Sequence, residues 1–452
     1  MRKWFISFSI LLSLLFIFLS RNISTFELPL YTILPFILIL LSIAIIPLVN
    51  AKWWHHNFPM VSLLIGLPVA LGIAFLEWHW LYHTALEYIS FIALLSSLYI
   101  ISGGIVLTES LRVSSRVNTS ILIVGTLLAN LIGTTGASML LIRPIIKLNR
   151  ERKHKAHLIV FFIFIVGNIA GSLTPLGDPP LFLGFIKGVP FFWTFKLFPA
   201  WLFTNIILIG SFFLIDYYLL KHEKFVDRKI ESTHVKIFGK RNFFLLFGVI
   251  VTVLIYSKLP KEMDQLLKDL IQVGLMGTMA LLSLKLTPSH YRKDNGFTWA
   301  PIKEVAILFA AIFATMIPAL KILELRGSEL GITTPHQFFW ATGTLSSFLD
   351  NAPTYLSFVS LGKSVTANLF SASNTSVITL ADGLPIAEHL LYAISMGAVF
   401  MGAMTYIGNG PNFMIKSVAE ESGIKMPSFF GYMIWSIIAL VPIFILNTLI
   451  FF

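Results

Sequence analysis

Apolar runs long enough to cross a bilayer follow one another along nearly the whole chain, separated by short polar blocks. They fall at about 31–49, 57–77, 86–108 and 193–219, and again at about 242–258, 269–284, 303–323 and 428–451. Runs of this length with few charges predict transmembrane helices. Four further segments are apolar but interrupted. Two are double-length: 117–146, broken at Gly133-Thr134-Thr135-Gly136, and 336–362, broken at Asp350-Asn351-Ala352-Pro353. The other two, 156–184 and 386–415, carry glycine, proline and a polar residue at their centres. The first reads G-S-L-T-P-L-G-D-P-P-L-F-L over 171–183, the second G-A-M-T-Y-I-G-N-G-P-N-F-M over 402–414. A shift of 231 residues superimposes Gly171 on Gly402, Thr174 on Thr405, Gly177 on Gly408 and Pro180 on Pro411, and sets Asp178 on Asn409.

Composition fixes the class. Of 452 residues 56% are hydrophobic and only 12% charged, where a soluble domain carries about a quarter charged residues. The runs do not alternate apolar and polar residues as barrel strands do, so the fold expected is an all-α polytopic membrane protein with about 11 spans. The net charge of +11 sits in blocks between spans, the pattern of cytoplasmic loops. No basic face with interleaved aromatics calls for nucleic acid. Without cysteine there is no disulfide, thiolate metal site or thiol nucleophile. H-E-x-x-H, G-x-S-x-G and Asp-rich phosphate motifs are absent, so no enzyme and no cofactor is expected.

The basic blocks at 143–155 and 221–241 are expected on the cytoplasmic side. Both can lie there only if 117–146 enters and leaves on one face, because two full crossings need roughly 40 residues. That segment is therefore expected to be a re-entrant hairpin, and 336–362 its counterpart opening to the other side. Residues 1–30 are expected to form an N-terminal helix or uncleaved signal anchor with a loop. Residues 31–219 are expected to form a first repeat (hairpin 117–146, broken helix 156–184), 220–241 a basic cytoplasmic linker, and 242–452 a second repeat (hairpin 336–362, broken helix 386–415). The two run in the same order with inverted topology, and paired broken helices in inverted repeats point to a transporter's binding site.

Backbone that leaves the helix at membrane depth must be buried in protein or line a wet cavity. The helix-break residues are Gly133, Gly136, Gly171, Gly177, Pro179, Pro180, Pro353, Gly402, Gly408, Gly410 and Pro411. Asp178 has two readings. Followed by proline it is a favoured N-cap, with Asn409 capping the mirror segment. A carboxylate at this depth is also a functional candidate by default, and the reading adopted combines both. Asp350, with Asn351 beside it, is either a solvated hairpin tip or a second ion site. Thr174 and Thr405 either bond back to helical carbonyls or join Asn168 as oxygen ligands for a hard cation such as sodium.

The pairing of G-T-T-G-A-S-M-L-L-I-R-P (133–144) with G-N-I-A-G-S-L-T-P-L-G-D-P-P-L-F-L (167–183), echoed by F-L-D-N-A-P-T (348–354) and T-Y-I-G-N-G-P-N (405–412), resembles the ion transporter superfamily. Within it the chain is most similar to NhaD-type sodium/proton antiporters and related citrate transporters, from about residue 31 onward. The resemblance implies two inverted halves and a homodimer moving its transport part in elevator fashion, in the bacterial inner membrane. It implies roles for Asp178, Thr174, Asp350 and Asn351 in binding sodium and protons. The antiporters carry an Asp-Asn pair in the first hairpin as well, where Gly133-Thr134 stands here. Sodium/proton antiport is the function expected. Cation-coupled uptake of citrate or another carboxylate is the alternative, and efflux of arsenite or another oxyanion comes after it.

Overall fold

The computed structural model describes residues 28–110, 112–223, 234–260, 262–370 and 376–452. The expected N-terminal helix and the middle of the basic linker lie outside the described residues. Fifteen α-helices carry the described chain. The first is α1, Leu34–Leu76, a single run through a bend at Asn50 (φ −150°, ψ 81°). At about 1.5 Å per residue its 43 residues are about twice as long as a membrane core is thick, and the bend makes two spans of it. Then come α2 (Trp78–Ser102), α3 (Ser115–Leu148), α4 (Ala156–Ile165), α5 (Pro179–Ile186) and α6 (Phe198–His222). The second half holds α7 (Arg241–Tyr256), α8 (Gln265–Leu286), α9 (Ser289–Asp294), α10 (Ala300–Arg326), α11 (Pro335–Phe348), α12 (Asn351–Val365), α13 (Glu388–Met401), α14 (Gly410–Glu421) and α15 (Phe429–Phe451).

Eight helices among the described residues are long and apolar enough to cross a membrane, and α7 and Glu388–Met404 are shorter apolar helices. The protein is an all-α polytopic membrane protein. Two small antiparallel ribbons outside the spans, β1 (Val106–Ser110) with β2 (His234–Phe238) and β3 (Val377–Thr379) with β4 (Pro385–Ala387), were not foreseen. β1 takes residues 106–108 from the end of the run expected at 86–108, and β4 takes residues 386–387 from the start of the segment expected at 386–415.

α3 is two helical arms. Gly133 adopts φ 76°, ψ 157°, a conformation open to glycine and strained for any side chain. The chain turns back there, so that Asn118 near one end and Asn149 just past the other exchange hydrogen bonds of 3.1 and 2.8 Å. α11 and α12 form the second hairpin, turning at Leu349-Asp350, with Phe338 and Phe358 meeting edge to face across it at 6.3 Å between ring centroids. Thr334 starts α11 with a reciprocal capping box to Gln337 and Pro335 in the first turn, the arrangement that satisfies orphan amides at a helix start.

Each broken span leaves its helix through a short 3-10 turn, Ile169–Leu173 or Gly402–Met404, and passes through extended backbone into the next half-helix. The matched positions share their conformation. Thr174 (φ −136°, ψ 154°) corresponds to Thr405 (φ −136°, ψ 168°), and Asp178 (φ −145°, ψ 144°) to Asn409 (φ −154°, ψ 143°). α4 is buried on every side, whereas α1, α6, α8 and α15 present large apolar side chains outward, as lipid-facing helices must. The hairpins and broken spans thus form the protein-enclosed centre, where irregular backbone is sheltered from lipid.

Candidate functional site

The close approach that builds the centre is glycine to glycine. A Cβ on Gly177 would lie 2.0 Å from the Gly171 carbonyl oxygen, and one on Gly408 would lie 2.5 Å from that of Gly402. Each loop therefore folds tightly enough to admit a hairpin tip. Thr134 N–H donates to the Gly177 carbonyl at 2.8 Å, docking the first tip on the first loop. The matched threonines fasten each loop to the hairpin of its own half. Thr174 Oγ1 donates to the Asn130 carbonyl at 2.5 Å and Thr405 Oγ1 to the Ser347 carbonyl. Of the other break residues, Gly136 lies within the second arm of α3 and Pro353 in the first turn of α12. Gly410 opens α14 with free space around it.

Asp178 lies at the start of α5, yet its side chain makes no capping bond. Pro179 and Pro180, which occupy the first helical positions, have no N–H to offer. The carboxylate, 2% exposed, instead accepts from three neutral donors. These are Thr134 Oγ1 at 2.9 Å, Asn409 Nδ2 at 3.0 Å and Asn351 Nδ2 at 2.6 Å. They come from the first hairpin tip, the second broken span and the second hairpin tip. Asn409 does not cap its half-helix either. It also donates to Asn168 Oδ1 at 3.2 Å. Asn168 Nδ2 donates to Asn412 Oδ1 at 2.7 Å, and Asn412 Nδ2 to the Gly402 and Thr405 carbonyls. A ladder of amides thus joins the two halves through Asp178.

The structure brings together Asp178, Asn351, Asn409 and Asn168, with Thr174 and Thr405 holding the loops. Asp350 stands apart from these bonds. It is half-buried at the start of α12, where its Oδ1 accepts from Ala352 N–H at 3.0 Å, a capping role. Three participants escaped the sequence reading: Thr134 as a donor, Asn130, whose Oδ1 accepts from Leu173 N–H at 2.9 Å, and Asn412. Each is a polar residue at membrane depth in an apolar run, and that signal alone would have marked them.

No cation among the described residues bonds to Asp178. An ionised carboxylate this deep costs several kcal/mol without a counter-charge. Hydrogen bonds to a charged group return about 1.5–3 kcal/mol each, yet they leave the unit charge in place. A proton or a small cation would complete the site. Asn351 Oδ1 is buried without a hydrogen-bond partner, an oxygen beside the carboxylate that a cation would take. A cavity of about 80 Å³ reaches the carboxylate between Thr134 and Gly177, lined by Leu94 and Tyr99 of α2 and Ile302 and Val305 of α10.

A family model described as "Putative citrate transport" matches residues 25–452. No curated protein matches the chain.

Proposed function

The chain belongs to this citrate transport family, and we propose that it is a secondary transporter exchanging sodium for protons at Asp178 by alternating access. The observation that carries this reading is a lone buried carboxylate held by neutral donors from both hairpins and the opposite broken span. Thr134, Asn351 and Asn409 keep the ionised oxygens satisfied while the site is empty. A proton or sodium neutralises the charge, and the two compete for one carboxylate. Asn351 Oδ1 adds an oxygen ligand of the hard type that sodium takes. Gly171 and Gly402, with the half-helices they interrupt, form the paired loops about which the two halves rearrange in inverted fashion.

A second reading, uptake of citrate or a related carboxylate coupled to the same ion, is favoured by the family's description. It is favoured also by a second cavity of about 800 Å³, in whose lining Arg143, Lys147 and Arg150, with His290, outnumber the acids Asp294 and Glu421. That volume is within the range of small-molecule sites, whereas the space beside Asp178 is far below it.

Proton flux in proteoliposomes, challenged in turn with sodium, lithium, potassium and citrate, separates the two. Antiport gives sodium-driven proton movement without citrate, lost in Asp178→Asn. Saturable citrate uptake that requires sodium or a proton gradient selects the second reading. Full transport by Asp178→Asn refutes the coupling role in both.

A further inference from the structure

α10 runs between two chemically different ends. Its first turns, at Pro301, Ile302 and Val305, line the cavity that reaches Asp178. Its last turns carry Lys321 and Glu324, roughly 30 Å away along the helix at about 1.5 Å per residue. At that far end charged side chains join the central segments to the surrounding helices. Lys187, just after α5, pairs with Glu87 of α2 at 2.7 Å. Lys363, on the second hairpin's returning arm α12, pairs with Glu324 of α10 at 2.9 Å and with Asp382 of the β3–β4 loop at 2.6 Å. The Ala381 amide of that loop donates to the Lys187 carbonyl at 2.7 Å, which ties the two lysines together. Lys321 bonds Glu324 at 3.1 Å and lies 5.5 Å from the Trp80 ring of α2.

We propose that Lys187 and Lys363 gate the face opposite the cavity, each held by an acid on a helix outside the hairpins and broken spans. The site opens to that face only when both lysines leave Glu87 and Glu324. The cost is suited to a gate. The Lys363 and Glu324 side chains are 8% and 12% exposed, and once parted each keeps a partner, Asp382 and Lys321, so the latch can break without stranding a buried charge, while Lys187 and Glu87 are wet enough to part readily. The cavity end has only neutral residues around the carboxylate, so the conformation described is open toward one face and latched at the other. This rests on the transport reading and extends it to residues outside the ion site.

The chain has no cysteine, so Thr135→Cys places one thiol on the cavity wall. The experiment measures its labelling by a membrane-impermeant maleimide from each face of reconstituted vesicles. Lys187→Gln with Lys363→Gln is expected to raise labelling from the latched face roughly tenfold, what about 1.4 kcal/mol produces. Lys187→Glu, which breaks one latch and leaves Lys363 held, is expected to raise it by a smaller factor, and Glu87→Lys added to it to return the rate toward the parent's. Unchanged latched-face labelling in the double variant, or an exchanged pair as leaky as the single reversal, overturns the proposal. Labelling from the cavity face at the parent rate reports an intact fold; should the double variant lose it, the single reversal and its exchange decide the matter. Failure of the ion site shows separately, as Asp178→Asn with intact transport.

Discussion

Gly177→Ala tests the central packing most directly. The added Cβ would meet the Gly171 carbonyl oxygen at 2.0 Å, its carbon at 2.7 Å and its Cα at 2.9 Å. These are backbone atoms, and the closest falls more than about 1 Å short of ordinary contact. No side chain can swing aside, so the two strands of the loop must part. Because Gly177 also accepts from Thr134 N–H, parting them draws the hairpin tip away from the neighbouring carboxylate. Overpacking costs about 1–3 kcal/mol, and a backbone clash with nothing to yield belongs at the upper end, about 3 kcal/mol. Gly274→Ala in α8 is the control, since nothing lies within 4 Å of its Cβ. There alanine is expected to add about 0.5–1 kcal/mol by restricting the unfolded chain. Thermal unfolding of the two variants in parallel, with transport assayed on both, should separate them in opposite directions from the parent. A Gly177→Ala protein as stable and active as the parent would refute the close-approach argument.

Other expectations concern charges away from the centre. Asp216 on α6, fully buried, accepts from Arg152 at 2.5 Å, His157 at 2.9 Å and Asn118 at 2.9 Å; Asp216→Ala removes these three bonds but leaves Arg152 its pair with Glu223 at 3.3 Å, so it should cost about 2–3 kcal/mol, less than a fully stranded buried charge. A loss under about 1 kcal/mol in denaturation would show that the cluster does not hold the base of the first hairpin. At Asp382, burial pushes the carboxyl up, but the hydrogen bond and charge of Lys363 outweigh it and hold it below the usual range. A depressed acid contributes stability above its unfolded value of about 4, and that contribution fades as pH falls through the lower folded value. Asp382→Asn should therefore lose less stability than the parent when unfolding is followed downward from pH 5, and parallel curves would contradict the assignment.

The breaks were legible because glycine, proline and a bare acid have few reasons to stand in an apolar run, and because the motif occurs twice. Partner choice was not. Asp178 followed by two prolines reads as a cap, and only the fold shows its side chain turned from its own helix to three distant donors. Asp350 and Asn351 are indistinguishable as neighbours in sequence; a helix start turns one toward its own backbone and the other toward Asp178. The Asp216 cluster left no local trace, since Asn118, Arg152 and Asp216 are far apart along the chain. The bend at Asn50 lies where two spans were expected to be separated by a loop, and one polar residue there does the separating.

The matched loops differ in one atom type that matters electrically: a carboxylate at Asp178 faces an amide at Asn409. An occupied site with one bound monovalent cation is then neutral, and a vacant one carries a single negative charge. Membrane potential acts on the vacant site alone, with about 2.3 kcal/mol per 100 mV for a charge crossing the whole field. On the exchange reading, sodium rides one way and a proton the other, both moving forms are neutral, and the voltage drives neither half of the cycle. Had both loops kept an acid, a singly loaded carrier would be charged and its crossing would feel the voltage. The single substitution between twin loops therefore makes the exchange electrically silent, answerable to ion gradients and not to the cell's battery.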